Sequence, residues 1–128
     1  SANEIAASVH KNIDVIITDH HEPTAKLPHC IATLNPKLLN STYPDRNLTG
    51  VGVAFKLAHA FTNFLISQGE ISANKVDLKK YLDLVALGTI ADMGSLIGEN
   101  RILVRYGLKQ LRKNKRVGLA KLFSVCRS

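Results

Sequence analysis

The chain has 128 residues, 45% of them hydrophobic, so it can bury the core of one domain of ordinary size. No apolar run approaches the roughly 20 residues that cross a bilayer, and no signal peptide is visible, so neither a spanning segment nor a membrane partner is expected. Seventeen Lys and Arg against ten Asp and Glu give a net charge of +7. That charge favours an acidic partner, with nucleic acid the first candidate and a basic solvated surface the alternative.

The two cysteines, Cys30 and Cys126, lie far apart and form no metal motif. Two cysteines do not make a disulfide scaffold, so we expect a reducing, cytoplasmic compartment.

Residues 2–11 predict a helix that buries Ile5 and Val9, followed by a strand over residues 13–17. Residues 15–17 are β-branched, which suits a strand buried on both faces of a parallel sheet. A helix that leads directly into a buried strand is half of a β-α-β unit. The strand before the helix is absent, which suggests an excerpt of a larger domain.

A polar cluster, residues 18–22 (TDHHE), follows this strand. Open α/β sheets bind ligands at the carboxyl ends of their strands. Carboxylate and imidazole are ligands of divalent transition metals such as Mn, Fe or Zn. Two adjacent histidines between two acids favour a metal or phosphate site over the alternative, a surface loop.

A loop with Pro23 and Pro28 leads to a second strand over residues 30–34, which Asn35-Pro36 ends. Residues 37–49 are polar, with a turn at 43–45. The expected fold is α/β: part of a parallel-sheet domain with two short strands, then a mostly helical C-terminal portion. We divide it into a strand-rich part, 1–36, and a helical part, 50–126.

Gly50 and Gly52 open a helix that runs to about residue 68. The predicted core face consists of Phe55, Ala58, Phe61 or Thr62, and Leu65. Paired glycines at a helix start let a phosphate approach free backbone N–H groups, and they equally allow tight helix packing. Both interpretations stay open.

A strongly periodic helix spans residues 77–91, with Asp77 as its N-cap. Its apolar positions are Leu78, Leu82, Val85 and residues 87–90. Asp92 follows at its end. Burying an acid there is costly unless it is paired or metal-bound, and a solvated Asp is the commoner case.

The next helix is predicted over residues 98–114, and a short final helix over 117–126. The predicted inward side chains are Ile102, Leu103, Tyr106 and Leu111. The polar side and tail carry Arg101, Arg105, Lys109, Arg112, Lys113, Lys115 and Arg116. With the net charge of +7, this basic side favours a phosphate track over a solvated surface.

Three blocks together resemble one family: residues 14–22 (DVIITDHHE), 48–57 (LTGVGVAFKL) and 83–92 (DLVALGTIAD). The sequence resembles the DHH phosphoesterase superfamily and, within it, the RecJ-type single-strand-specific DNA exonucleases. The resemblance covers nearly the whole chain. It departs at residues 93–95, where the family more often has apolar residues and a Pro.

The resemblance implies a role for four matching residues. His20 and Asp92 would be metal ligands, and His21 would contact the scissile phosphate and steady the leaving oxygen. Asp19 would orient the histidine. Independently of the resemblance, the paired glycines and the basic helix face make Gly50, Gly52, Arg101 and Arg105 the residues expected to bind nucleic acid. The implied cofactors are two divalent cations, Mn²⁺ or Mg²⁺, and the implied reaction is hydrolysis of single-stranded DNA from its 5′ end in repair and recombination.

The family has further Asp ligands in two earlier motifs and a second, nucleic-acid-gripping subdomain after residue 128, so the chain looks like an internal segment. Two ligands are too few for a two-metal centre, and the chain alone should bind Mn²⁺ weakly and hydrolyse little. The alternatives are a family member acting on oligonucleotides, cyclic dinucleotides or pyrophosphate, and a non-catalytic basic module that binds nucleic acid.

Overall fold

The structure is a computed structural model that describes residues 2–24, 26–113 and 116–126. The helices and strands are α1 (Ala2–His10), β1 (Ile16–Thr18), β2 (Ala32–Leu34), α2 (Gly50–Ser67), α3 (Leu82–Ala91), α4 (Gly98–Leu111) and α5 (Val117–Cys126). Two short 3₁₀ turns, Ala73–Lys75 and Leu78–Tyr81, precede α3. The α/β organisation predicted from the sequence is confirmed. Lys115 lies outside the described residues.

β1 and β2 form a two-stranded parallel sheet in which Ile16 is paired with Ala32 and Thr18 with Leu34. The two strands are shorter than predicted, although the Asp19 amide continues the ladder by donating to the Leu34 carbonyl at 3.0 Å. The prediction that the first strand is buried on both faces is wrong for this chain, because Ile16 is 55% exposed. Ile16 and Thr18 lie on the same face of β1 and are both exposed, so the described residues leave that face largely uncovered.

The helical core is centred on α3, which packs against α2 and α4. Leu82 and Val85 are buried as predicted, together with Ala86. Gly107 of α4 lies so close to α3 that a Cβ there would overlap the Leu82 carbonyl. Small residues thus bring two helix backbones together. The helix predicted from residue 77 begins only at Leu82, because residues 78–81 form a 3₁₀ turn. Asp77 caps that turn, not the α-helix, by accepting from the Lys79 amide at 3.0 Å.

The predicted inward faces of three other helices are partly wrong. On α4, Ile102 and Tyr106 are 57% and 52% exposed, and the buried positions are Asn100, Val104 and Gly107. The buried face of α4 is rotated relative to the predicted one, because Asn100 and Gly107 contact the core and neither counts as apolar in the sequence pattern.

On α2, Ala58 and Phe61 are exposed, while Gly52 and Val53 near its start are buried. On α1 no residue is fully buried, and Ile5 and Val9 are only half-buried. Both helices lie at the margin of the α3-centred core, so their apolar residues have fewer described neighbours to pack against.

A buried polar cluster ties the start of α2 to the end of α3 and the start of α4. The hydroxyls of Thr49 and Thr89 are 2.9 Å apart, and both side chains are buried. The Asn100 amide group donates to the carbonyls of Asn47 at 2.7 Å and Ser95 at 3.1 Å. These contacts fix the helix end that carries Asp92. No described helix is long and apolar enough to span a membrane.

Candidate metal centre

His20 and Asp92 meet at the edge of the sheet, as predicted, with His20 Nε2 3.3 Å from Asp92 Oδ2. His20 comes two residues after β1, and Asp92 is the C-cap of α3. Asp92 is about half exposed, so it is not a buried acid. Its carboxylate nevertheless lies at the negative end of a helix dipole, which is unfavourable for a negative charge. A cation bound near this helix end would be stabilised by the dipole by roughly 0.3–1 kcal/mol.

The end of α3 that presents Asp92 is a Schellman turn. The Met93 amide donates to the Ile90 carbonyl and the Gly94 amide to the Thr89 carbonyl, each at 3.0 Å. Met93 adopts the left-handed conformation, with φ of 52°. The chain therefore turns sharply after Asp92.

Asp19 organises the loop that carries both histidines. Its Oδ1 accepts from the His20 amide at 2.7 Å, the His21 amide at 3.2 Å and His21 Nδ1 at 2.7 Å. Burial alone raises the pKa of Asp19, but these hydrogen bonds outweigh it and hold the pKa below its ordinary value. Asp19 thus orients the ring of His21 directly and acts on His20 only through its backbone.

His21 presents an open imidazole beside the pair. Its side chain is 75% exposed, and its ring centroid lies 4.4 Å from that of His20. An exposed ring held by a carboxylate at Nδ1 can present its other nitrogen to a ligand.

Asn35 is a supporting residue to which sequence reasoning gave no role in the site. It is buried, its Nδ2 donates to the His21 carbonyl at 2.9 Å, and its Oδ1 accepts from the Lys37 amide at 2.9 Å. The available signal was its position, an amide before a proline at the end of β2. Asn35 fixes the His loop against the second strand.

Both glycines at the start of α2 have a packing explanation. A Cβ at Gly50 would lie 3.1 Å from His20 Cδ2, so the imidazole rests against the first turn of the helix. A Cβ at Gly52 would lie 2.7 Å from Leu48 Cδ1 in the core. Their predicted contact with a phosphate stays a prediction.

Arg101 and Arg105 lie on the exposed side of α4. They line a groove with Leu96, and no described contact joins them to His20 or Asp92. The structure therefore brings together His20, Asp92, Asp19 and His21, and leaves the two arginines apart.

The donor set partly fits a divalent cation. An imidazole nitrogen and a carboxylate oxygen on adjoining elements are suitable ligands for Mn²⁺ and related ions. Among the described residues, no group of three or more His, Cys, Asp and Glu side chains converges on one point. The pair could hold part of a coordination sphere, and it does not make a complete one.

The chain is similar in sequence to several curated exonucleases. The chain is 43% identical over 125 residues to the single-stranded-DNA-specific exonuclease RecJ of Bacillus subtilis, a match that covers 98% of this chain and 14% of that protein. The RecJ of Escherichia coli is 44% identical over 117 residues, covering 88% of this chain and 20% of that protein. A putative exonuclease of Bacillus phage SPbeta, YorK, is 33% identical over 103 residues, covering 80% of this chain and 16% of that protein.

The chain thus spans less than a quarter of the length of these curated relatives. No solved structure gives a significant match. A model of the DHH family, N-terminal domain, matches residues 1–89, which include the His loop and the start of α2. The chain therefore belongs to the DHH family.

Proposed function

We propose that the chain is a partial DHH phosphoesterase domain, within residues 1–128, of a metal-dependent exonuclease. The enzyme hydrolyses phosphodiester bonds of single-stranded DNA from the 5′ end, in the cytoplasm, during repair and recombination. The curated relatives named as single-stranded-DNA-specific exonucleases support the substrate. The strand-rich part, 1–36, carries the histidines, and the helical part, 50–126, carries Asp92.

The observation that carries this proposal is the 3.3 Å approach of His20 Nε2 to Asp92 Oδ2. Residues from a strand end and a distant helix end meet at a point where a carboxylate is electrostatically unfavourable. Shared binding of a cation, Mn²⁺ or Mg²⁺, accounts for both features. When bound, a pair of such ions supplies Lewis-acid activation of the phosphodiester.

The chain's own residues then have separate tasks. His20 and Asp92 are the ligands, and we infer that the remaining ligands come from parts of the longer protein outside these residues. Asp19 holds the His21 ring at 2.7 Å, so that the exposed imidazole can contact the scissile phosphate and steady the leaving oxygen. Asn35 and Gly50 fix the position of the histidine loop.

Replacing the two ligands tests the proposal in the intact protein that carries this chain. His20→Ala and Asp92→Asn should each lower Mn²⁺-dependent hydrolysis of a 5′-labelled single strand at least about a hundredfold, because a ligand is lost. Binding of the same strand in EDTA should persist. The matched control is His59→Ala, an exposed histidine of α2.

Turnover retained in either ligand variant would contradict the assignment. Comparing long single strands with dinucleotides and cyclic dinucleotides as substrates tests the chain-length preference. DNA binding with no EDTA-sensitive hydrolysis in the parent protein would favour the non-catalytic module.

A further inference from the structure

A second polar surface lies on α4, away from the His20–Asp92 pair. A groove of about 380 Å³ runs between Leu96 and one side of the helix, and its apolar lining comes from Leu96, Val104 and Leu108. Four cationic side chains line the same groove: Arg101, Arg105, Lys109 and Arg112. Their spacing of four, four and three residues places them along one stripe about 16 Å long.

These cations are not neutralised within the described part of the chain. All four are exposed, no carboxylate lines the groove, and none of the described ion pairs involves them. The nearest acid in sequence, Glu99, is engaged by Lys56 at 2.6 Å. Arg116, from the same basic segment, differs because Asp83 holds it at 2.7 Å.

The lining of the groove is complementary to a single nucleic-acid strand. Cations meet the phosphates, and an aliphatic floor can pack against sugars and bases that a single strand exposes and a duplex buries. The groove also begins near the candidate metal centre. Leu96 follows Asp92 by four residues, a backbone path of at most about 14 Å.

We propose that this groove binds the backbone of the DNA strand whose end lies at the His20–Asp92 pair, so that α4 is a docking track for the substrate. The inference rests on the proposed function and adds a second site to it. The proposal assigns the four cations of the groove to DNA binding. It assigns Arg116 to the stability of the fold, through its ion pair with Asp83.

The test is the binding of oligothymidylate by the intact protein, measured by fluorescence anisotropy in EDTA over a range of salt. The double variant Arg101→Gln, Arg105→Gln should bind about tenfold more weakly at low salt, and the slope of log affinity against log salt should fall by about 1.4, because two phosphate contacts are lost. The matched control, Lys75→Gln with Lys79→Gln, removes two exposed charges from the turns before α3 and should leave both quantities as in the parent.

Equal losses of DNA affinity in the two double variants would overturn the assignment of the groove as the DNA site, because net charge alone would then explain the binding. Unchanged affinity in the arginine variant would overturn it too. So would an arginine-dependent affinity for phosphatidylglycerol vesicles without one for DNA, which would make the surface a lipid site. Hydrolysis by the parent is scored separately with Mn²⁺: its absence refutes the proposed function, while the binding result alone decides the groove.

Discussion

Gly50 is the residue on which the position of the His20 ring depends most directly. The imidazole rests on the first turn of α2, where a Cβ would lie 3.1 Å from its Cδ2 atom. A methyl group at residue 50 would therefore push the His20 ring by a few tenths of an ångström. The ring is also held by its contact with Asp92. A small side chain here therefore acts on the site while leaving the core untouched.

Gly50→Ala should separate activity from stability. Alanine is favoured over glycine in a helix by up to about 1 kcal/mol, so the free energy of unfolding should stay the same or rise. Hydrolysis should fall severalfold, because a displacement of the imidazole misplaces a ligand. Gly118→Ala, at a helical glycine with open space around it, is the control and should leave hydrolysis unchanged. Full activity in Gly50→Ala would show that the ring has room to move.

Asp45 is the residue that makes the start of α4 sensitive to acid. Its carboxylate accepts from the amides of Glu99 at 2.7 Å and Asn47 at 2.9 Å. Burial alone raises the pKa of Asp45, and these backbone hydrogen bonds outweigh it and hold the pKa below its ordinary value. Because the folded pKa is the lower one, the stabilisation is present above the unfolded value of about 3.9 and is lost as pH falls through the folded pKa.

Asp45→Ala should therefore lower the free energy of unfolding by about 1 kcal/mol at neutral pH, the usual loss for a helix cap. The difference from the parent should shrink towards zero as the pH falls below about 3.9. Urea denaturation across this range measures it, with Asp14→Ala, at an exposed aspartate, as the control. A difference that does not change with pH would rule out the carboxylate as its source.

Among the elements, α3 decides where Asp92 points, and its end carries a local strain. Met93 has φ of 52°, a conformation that costs a non-glycine residue roughly 1–2 kcal/mol. The side chain is almost fully exposed and contributes little packing in return. The turn is kept by its two backbone hydrogen bonds and by the buried Thr49–Thr89 contact.

Met93→Gly should raise the thermal unfolding midpoint. Relief of the left-handed conformation exceeds the added freedom of glycine in the unfolded chain, which leaves a net gain of about 0.5 kcal/mol. Calorimetric melting of the two proteins measures this gain. Gly69→Ala, at a glycine with φ of 75°, reverses the change and should destabilise. A lower midpoint for Met93→Gly would mean that the methionine side chain stabilises the turn.

The order of the strands and α-helices could be predicted from sequence, whereas the two 3₁₀ turns before α3 and the buried face of α4 could not. Apolar periodicity selects Ile102 and Tyr106, yet the helix packs through Asn100 and Gly107. The reason is that close backbone approach needs a glycine and a buried loop needs an amide, and an apolar pattern scores neither. On α3, burial of Leu82 and Val85 was predictable because both are apolar, whereas burial of Asp83, which is paired with Arg116, was not.

At the scale of the whole molecule, the meeting of His20 with Asp92 followed from the family resemblance, and the supporting contacts did not. The hydrogen bond from Asn35 to the His21 carbonyl and the packing of Gly50 on His20 depend on how the second strand and α2 approach the loop. Such three-dimensional contacts leave no periodic signal. The exposure of Ile16 is a further example, because the apolar run 15–17 does not encode which elements pack against the sheet.

At the centre of the proposed function is the sharing of one divalent cation by His20 and Asp92. Anomalous diffraction from crystals of the intact protein soaked in Mn²⁺ tests it most directly. We expect a manganese peak within coordination distance of both His20 Nε2 and Asp92 Oδ2, and its loss in His20→Ala crystals. A manganese site that involves neither atom, or one that persists unchanged in the variant, would contradict it.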